Sequence, residues 1–295
     1  MASPRVSLES LGLPSADTKE IASPGRFPTG EAYRVEIPST EGPKALRAVI
    51  EEAKARKVRV HRVSQGSGMM MLSADEISEM VALGRQEHIE VNLFVGPRAT
   101  FDIGAQVVAP AGRSLGLSLR GADQLAFALA DIRRAVDLGI RSVLISDIGL
   151  ISIVGKLRAK GDLPSDLIIK TSVMMAPCNP ASARLLEDLG ATTINIPSDL
   201  SIAQIATIRQ AISAPIDFYI EAPDNIGGFV RTYEIPEIIR VAAPVYLKFG
   251  LRNSPDIYPS GLHLEAVSLA MSRERVRRAQ IALEILNTTS NSGHY

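Results

Sequence analysis

The chain has 295 residues, of which 46% are hydrophobic and 22% are charged, a composition that permits a large apolar core and excludes disorder of the whole chain. The 32 basic and 32 acidic residues cancel, so no net positive charge favours nucleic acid or an anionic membrane as a partner. Cys178 is the single cysteine, which excludes an internal disulfide and an iron–sulfur cluster held by four thiolates.

The two ends of the chain lack the periodicity of folded elements. Residues 1–31 carry scattered proline, glycine and serine, and we expect an irregular N-terminal arm there, with a flexible tail at 288–295. The start lacks the basic and then apolar pattern of a secretory signal, and no uncharged apolar run approaches the ~20 residues that span a bilayer. These features predict a cytoplasmic protein without a membrane partner.

From residue 32 onward, short β-branched segments alternate with segments of helical periodicity. The eight predicted strands are residues 33–37, 58–64, 90–95, 142–147, 167–173, 193–197, 216–221 and 245–249. The predicted helices are residues 43–56, a segment that begins after Ser73, and residues 121–138, 150–160, 179–189, 201–212, 233–242 and 262–286. Ser73 and Glu76 have the spacing of a helix capping box.

Strict alternation of strand and helix predicts parallel strands joined by right-handed crossovers. Eight such units fit a closed (β/α)8 barrel, the TIM-barrel fold, over residues 32–287. The alternative is an open, doubly wound sheet, which normally carries a glycine-rich turn after its first strand. Here that strand is followed by Pro-Ser-Thr-Glu-Gly-Pro. We therefore predict the barrel and no nucleotide cofactor.

Polar side chains late in the apolar strands are the candidates for chemistry, because such barrels place their sites at the carboxyl ends of the strands. These residue types are costly to bury without a partner. Alternate residues of a strand share a face, so Asp217, Tyr219 and Glu221 are predicted to point together. The candidates in the strands are Glu36, His61, Arg62, Asn92, Asp147, Lys170, Ser172, Asn195, Glu221 and Lys248.

One chemistry that this set allows is a divalent metal ion that polarises a carbonyl group or a water molecule. Carboxylate and imidazole ligands on separate strands can surround such an ion. No His-x-His or His-Glu-x-x-His spacing supports this hypothesis, and the alternative is a network of carboxylates with lysine and arginine that fills the barrel. The candidate ligands are Glu36, His61, Asp147 and Glu221.

Two further chemistries need no metal. Lys170 or Lys248 could form a Schiff base, provided that a dry pocket lowers the pKa of its amine, or could simply pair with a carboxylate. Glu221 and His61 could instead carry out acid–base catalysis on a bound small molecule.

Loops after the strands supply the candidates for substrate binding. The segment 96–120 is unusually long for a βα loop and carries Arg98, so it is either a binding loop or an exposed or subunit-contacting insertion. Asn225 lies in a glycine-containing loop after the seventh strand, and Arg252 follows the eighth. Arginine suits an anionic group. We predict that Arg98, Arg252, Asn195, Asn225 and Ser172 bind substrate.

Residues 142–224 carry several linked motifs. Residues 143–149 read Val-Leu-Ile-Ser-Asp-Ile-Gly and end in Asp-x-Gly, and residues 170–174 read Lys-Thr-Ser-Val-Met. Asn-Pro-Ala-Ser-Ala-Arg-Leu-Leu begins at 179, followed by Leu-Gly-Ala at 189 and Asp-Leu-Ser at 199. This stretch resembles the barrel domain of the peptidase U32 family, and the resemblance implies a U32-like barrel.

The sequence departs from that family at its hallmark Glu-x-Phe-x-His-Gly-Ala-x-Cys. The corresponding residues, 217–225, read Asp-Phe-Tyr-Ile-Glu-Ala-Pro-Asp-Asn, so Glu221 replaces the histidine and Asn225 replaces the cysteine. The iron–sulfur cluster that some members hold through their cysteines is therefore not expected, and we expect a divergent pocket.

Three functions follow as hypotheses. The first is a U32-like hydrolase or related enzyme that acts on a small polar, anionic substrate by acid–base or metal-assisted chemistry. The second is a carbon–carbon lyase of the aldolase type, which would use a Schiff-base lysine or a metal-stabilised enolate. The third is a barrel without catalysis that serves as a partner subunit. A small molecule is the expected partner, a homo-oligomer is left open, and nucleic acid is not expected.

Overall fold

Eight parallel strands form a nearly closed barrel in the computed structural model, which describes residues 4–96 and 118–291. The strands are β1 Tyr33–Pro38, β2 Arg62–Ser64, β3 Glu90–Phe94, β4 Ser142–Ile145, β5 Ile168–Thr171, β6 Ile194–Asn195, β7 Ile216–Glu221 and β8 Val245–Phe249. They follow the order β5-β4-β3-β2-β1-β8-β7-β6, and a bridge between Lys170 and Thr193 brings the two edge strands together. The predicted (β/α)8 TIM barrel is thereby confirmed.

Helices alternate with the strands and cover the outer face of the barrel. They are α1 Pro4–Ser10, α2 Pro43–Arg56, α3 Ala74–Glu87, α4 Gly121–Asp137, α5 Ile148–Lys160, α6 Pro180–Asp188, α7 Ile202–Ala211, α8 Ile235–Ala242 and α9 Glu265–Asn291. The capping box of Ser73 and Glu76 is present at the start of α3. Apolar side chains such as Ile37, Val143 and Leu247 are fully buried in the main hydrophobic core, which also includes helix residues such as Leu46 and Ile132.

The structure differs from the sequence prediction at the two ends. The predicted arm is not wholly irregular, because residues 4–10 form the helix α1. Helix α9 continues to Asn291, past the start of the predicted tail. In the described parts of the chain, we find no helix that combines the length and the apolar character needed to cross a membrane. The boundaries of the arm and the barrel and the cytoplasmic location remain predictions.

Two local features decide which side chains enter the barrel. Strand β2 begins at Arg62, so His61 lies at the amino end of the barrel rather than at its mouth. Strand β7 contains a register shift between Tyr219, which pairs with Lys248, and Glu221, which pairs with Phe249. Since one extra residue reverses the facing of every later side chain, the shift separates Glu221 from Asp217 and Tyr219.

Candidate functional site

The barrel interior holds a network of buried charges. The Arg62 guanidinium donates to Asp217 Oδ1 at 2.8 Å and to Glu90 Oε1 at 2.8 Å, and it lies 3.5 Å from the centroid of the Tyr246 ring. Asp217 also accepts a hydrogen bond from the Thr193 hydroxyl. The side chains of Arg62 and Asp217 are no more than 2% exposed. A charged network thus replaces the branched apolar layers that usually fill such barrels.

Two lysines belong to this network and differ in their surroundings. Lys170 Nζ makes a short ion pair with Glu36 Oε2 and lies 3.7 Å from Asp217 Oδ1. Lys248 Nζ lies 3.8 Å from Glu36 Oε1 and 3.9 Å from the centroid of the Tyr219 ring. With its amide oriented to suit its neighbours, Asn195 accepts a hydrogen bond from Lys248 Nζ at 2.8 Å. Lys170 is therefore held by a carboxylate, whereas Lys248 has a neutral hydrogen-bond partner.

Burial shifts the pKa values of these groups. Desolvation lowers the pKa of Lys170 to about 8 against the attraction of Asp217 and Glu36. Desolvation also lowers the pKa of Lys248, and Glu36 and Asp217 again act in the opposite direction. For Glu36, desolvation alone would raise the pKa, but the nearby charges of Lys170, Lys248 and Arg62 hold it well below the usual carboxyl range. Glu36 is thus an ionised carboxylate shared by three cations.

Above this network lies a pocket of about 310 Å³ at the carboxyl ends of the strands. Its floor includes Lys248, Asn195, Ser64 and Tyr219, whereas Lys170 lies deeper and does not line it. The remaining described residues around it are Pro38, Ser39, Gln65, Gly66, Phe94, Leu144, Ser172, Val173, Met174, Pro223, Asn225, Ile226, Asp256 and Tyr258. Lys248 is the only cationic side chain among the described lining residues.

One side of the pocket wall is built from the loops after β1, β2 and β8. The Glu41 carboxylate accepts hydrogen bonds from the backbone N–H groups of Gly66, at 2.7 Å, and Ser67, at 3.0 Å, and so fixes the loop after β2. The hydroxyl groups of Tyr258 and Ser39 form a short hydrogen bond across the pocket rim. A Cβ atom at Gly66 would lie 2.4 Å from the Tyr258 ring, so only glycine fits beneath this tyrosine. Hydrogen bonds and close packing therefore hold this side of the wall in place.

Four of the predicted site residues lie at this pocket. Lys248, Ser172, Asn195 and Asn225 all line it. Tyr219, which also lines the pocket, was predicted to share a face with Asp217 because the two residues alternate on β7. The sequence prediction did not single out Tyr258. Tyr258 lies in a loop without periodicity, and the sequence carries no signal that brings it to the rim.

Glu221 and His61 do not line the mouth pocket. Glu221 is buried, accepts a hydrogen bond from the backbone N–H of Arg252 at 3.0 Å and lies 3.5 Å from Arg278 of α9. His61 Nδ1 accepts a hydrogen bond from the backbone N–H of Val35. Desolvation lowers the pKa of His61 to about 4, helped by the charges of Arg59 and Arg34. The structure therefore does not bring the predicted acid–base pair together at the pocket.

Asp147 and Arg252 also have other partners. Asp147 caps α5, where its carboxylate accepts from the N–H of Leu150 at 2.7 Å and from the N–H of Leu119 at 2.9 Å. The Arg252 guanidinium donates to Asp224 Oδ1 at 2.8 Å, and half of its side chain is exposed. Arg98 and most of the long segment 96–120 lie outside the described residues.

The four candidate metal ligands are not assembled around one point. Glu36 lies among three cations in the barrel, while His61, Asp147 and Glu221 contact the separate groups described above. Residues 4–96 and 118–291 contain no group of three or more histidine, cysteine, aspartate or glutamate side chains that could hold a metal ion. These residues do not fit the predicted divalent ion.

Comparison with known proteins confirms the resemblance in the middle of the chain. A family model for peptidase family U32 matches residues 118–222. A comparison with curated proteins gives no match.

Two solved structures match this chain at low sequence identity. A U32 peptidase is 15% identical with a TM-score of 0.45, and the match covers 80% of this chain and 97% of that chain. A putative copper homeostasis protein, CutC, from Streptococcus agalactiae is 14% identical with a TM-score of 0.47, and the match covers 73% of this chain and 98% of that chain.

Proposed function

We propose that the chain is an enzyme that forms an imine between the Lys248 amine and the carbonyl group of a small substrate in the mouth pocket. The observation that carries this proposal is the placement of Lys248 Nζ. It lies on the floor of a pocket of about 310 Å³, on a side chain that is 3% exposed, with the amide oxygen of Asn195 at 2.8 Å. Burial lowers the pKa of this amine, which favours the neutral form that attacks carbonyl carbon.

Formation of the protonated imine consumes one proton and releases one water molecule. The neutral amine adds its lone pair to the carbonyl carbon, and the oxygen atom takes up a proton to give a carbinolamine. Loss of water, with a second proton added and one lost from nitrogen, then leaves a protonated imine. The protonated imine draws the electron pair of the bond between its α and β carbons into an enamine, so this carbon–carbon bond breaks while the β-hydroxyl group loses its proton and the departing fragment leaves as an aldehyde or ketone. The α carbon then takes up a proton, and water hydrolyses the imine and frees the amine. This chemistry corresponds to the lyase hypothesis.

The pocket lining favours a compact carbonyl compound with little net charge. Its volume lies at the lower end of the range for ligand pockets, roughly 300–1,000 Å³. The described lining contains one cation, Lys248, and one carboxylate, Asp256, and its other groups are apolar or neutral and polar. Since Arg252 is engaged by Asp224, we infer a short aldehyde or ketone with hydroxyl groups rather than the anionic substrate first expected.

The hydrolase hypothesis has a different support, namely the U32 family model that matches residues 118–222. Its acid–base candidates, Glu221 and His61, do not line the described pocket. We therefore rank it second. A partner subunit without catalysis is the third possibility, and it predicts no covalent capture of any carbonyl compound.

Reductive trapping tests the proposal. The full chain is incubated near pH 7 with glyceraldehyde, hydroxyacetone or pyruvate, reduced with borohydride, digested and mapped by mass spectrometry. We expect the adduct to be concentrated on the peptide that contains Lys248 and to disappear from it in Lys248→Met. Lys44→Met is the matched control, because Lys44 is an exposed surface lysine paired with Glu265. Labelling of Lys248 no greater than that of exposed lysines, with all three compounds, would contradict the proposal.

A further inference from the structure

Glu36 lies between the two buried lysines and is bound unequally by them. Its Oε2 makes the short ion pair with Lys170 Nζ and lies 3.4 Å from Arg62 Nη1. Its Oε1 accepts a hydrogen bond from the Ser64 hydroxyl at 2.7 Å, while Lys248 Nζ stays 3.8 Å away. The carboxylate that could hold Lys248 as an ammonium ion is therefore already engaged by other donors.

We propose that Lys170 is a positioning residue that occupies Glu36 and so keeps the Lys248 amine neutral and nucleophilic. This inference rests on the proposed function and deepens it, because it assigns a purpose to the second buried lysine. Lys170 does not line the pocket. Its closest carboxylate is Glu36, and it also lies 3.7 Å from Asp217 Oδ1.

A count of buried charges supports this assignment. The described charged groups that face Lys248 are Glu36 on β1, Arg62 on β2, Lys170 on β5 and Asp217 on β7. The two carboxylates balance Arg62 and Lys170, so an ammonium ion at Lys248 would leave this buried set with an excess positive charge. Glu90, the next carboxylate, contacts Arg62 on its other side and is 19% exposed. The Tyr219 ring also faces Lys248, and burial raises the pKa of its hydroxyl, so it supplies no anion.

The two lysines differ in the ion pairs that they make. An uncompensated charge in a low-dielectric interior is costly, so the cluster sheds its excess proton from the amine with the weaker ion pair. Lys170 has a carboxylate in direct contact, and its pKa of about 8 keeps it charged at neutral pH. Lys248 is then the amine that gives up its proton.

Substitutions at Lys170 and Glu36 therefore have opposite effects on Lys248. Lys170→Met removes one cation and frees Glu36 to pair with Lys248, so we expect the titration midpoint of Lys248 to rise. Glu36→Gln removes one anion, so we expect the midpoint to fall. Each shift should be at least about one pH unit, which is a tenfold change in the neutral fraction below the midpoint.

Competitive labelling with acetic anhydride between pH 5 and 10 measures that midpoint without any carbonyl substrate. The reactivity of the Lys248 peptide is compared with that of the exposed Lys44 peptide in the same full-length sample. Ser64→Ala is the matched control. It removes a hydrogen-bond donor to Glu36 and a 3.5 Å contact of Lys170 but changes no charge, so a shift well below one unit is expected.

Shifts of Lys248 in the same direction in both charge variants, or no shift in either, would overturn the inference, because loosened packing affects both variants alike. If Lys170→Met does not fold, Glu36→Gln decides alone, and a midpoint that stays or rises overturns it. Opposite shifts without imine trapping would support the charge assignment and contradict the proposed function. Trapping at Lys248 without opposite shifts would support the proposed function and contradict the charge assignment.

Discussion

Replacement of Arg62 by methionine tests the buried network most severely. The guanidinium makes ion-paired hydrogen bonds of 2.8 Å to both Asp217 and Glu90 and stacks on Tyr246. Methionine keeps much of the side-chain volume, so the main loss is the charge. Asp217 would keep the Thr193 hydroxyl and the more distant Lys170 as its described side-chain partners.

The expected cost can be worked out from this geometry. Removal of one partner from a buried ion pair typically costs about 3–5 kcal/mol, because the other charge stays buried without compensation. We expect Arg62→Met to lie in that range. Asp217→Asn should relieve part of the loss, so the double variant should be less destabilised than the sum of the single variants by about 1 kcal/mol or more.

Urea unfolding followed by far-ultraviolet circular dichroism measures these differences. Arg47→Met is the matched control, because Arg47 pairs with Glu79 at the surface and both side chains are at least 40% exposed. Such a pair contributes about 0–1 kcal/mol. A loss of less than about 1 kcal/mol in Arg62→Met, or strict additivity with Asp217→Asn, would refute the view that these charges form one coupled network.

Three further predictions concern residues outside the pocket. The pKa of His61 is lowered to about 4, so the unfolded chain binds this proton at a higher pH than the folded chain, and stability present above about pH 6.5 should be lost as the pH falls toward 4. His61→Asn should flatten that part of the curve of unfolding free energy against pH. A full slope that is retained in His61→Asn but lost in His88→Asn would show that the slope does not arise from His61. Asp147→Ala should cost about 0.5–2 kcal/mol of unfolding free energy through loss of the helix cap, and Asp147→Asn should recover most of it; equal losses in urea melts would exclude capping as the cause. Glu221→Gln should leave reductive trapping at Lys248 unchanged, and a large fall would show that Glu221 takes part in the chemistry.

The barrel could be predicted from the sequence because its signal is repeated eight times. Each strand and helix need only be recognised approximately for the alternation to emerge, and strand β7, at residues 216–221, even has the predicted bounds. The same pattern, with polar residues late in apolar strands, singled out Lys248 and Asn195, which both line the pocket. The alternation of residues along a strand thus predicts which side chains face the barrel interior.

The failures have local physical causes. A single register shift after Tyr219 turns Glu221 away from the pocket, and no residue type in that strand indicates such a shift. His61 was misplaced because the strand starts one residue after it. Asp147 was interpreted as a ligand, although an aspartate directly before a helix is a common cap.

The choice between the lysines depended on partners that no spacing predicts. Lys170 and Lys248 occupy equivalent places in their strands, and both are buried. Their difference arises from Glu36 on β1, which is in direct contact with the Lys170 amine and lies 3.8 Å from the Lys248 amine. Such a contact across the barrel becomes visible only in the folded chain.

Peptide mapping after borohydride reduction tests the central claim most directly, since it locates a covalent bond at a single nitrogen. With a short aldehyde or ketone near pH 7, the reduced adduct should lie on Lys248 at several times the occupancy of Lys44 and should be absent from Lys170. An adduct spread evenly over the exposed lysines, or one that persists in full in Lys248→Met, would contradict the account.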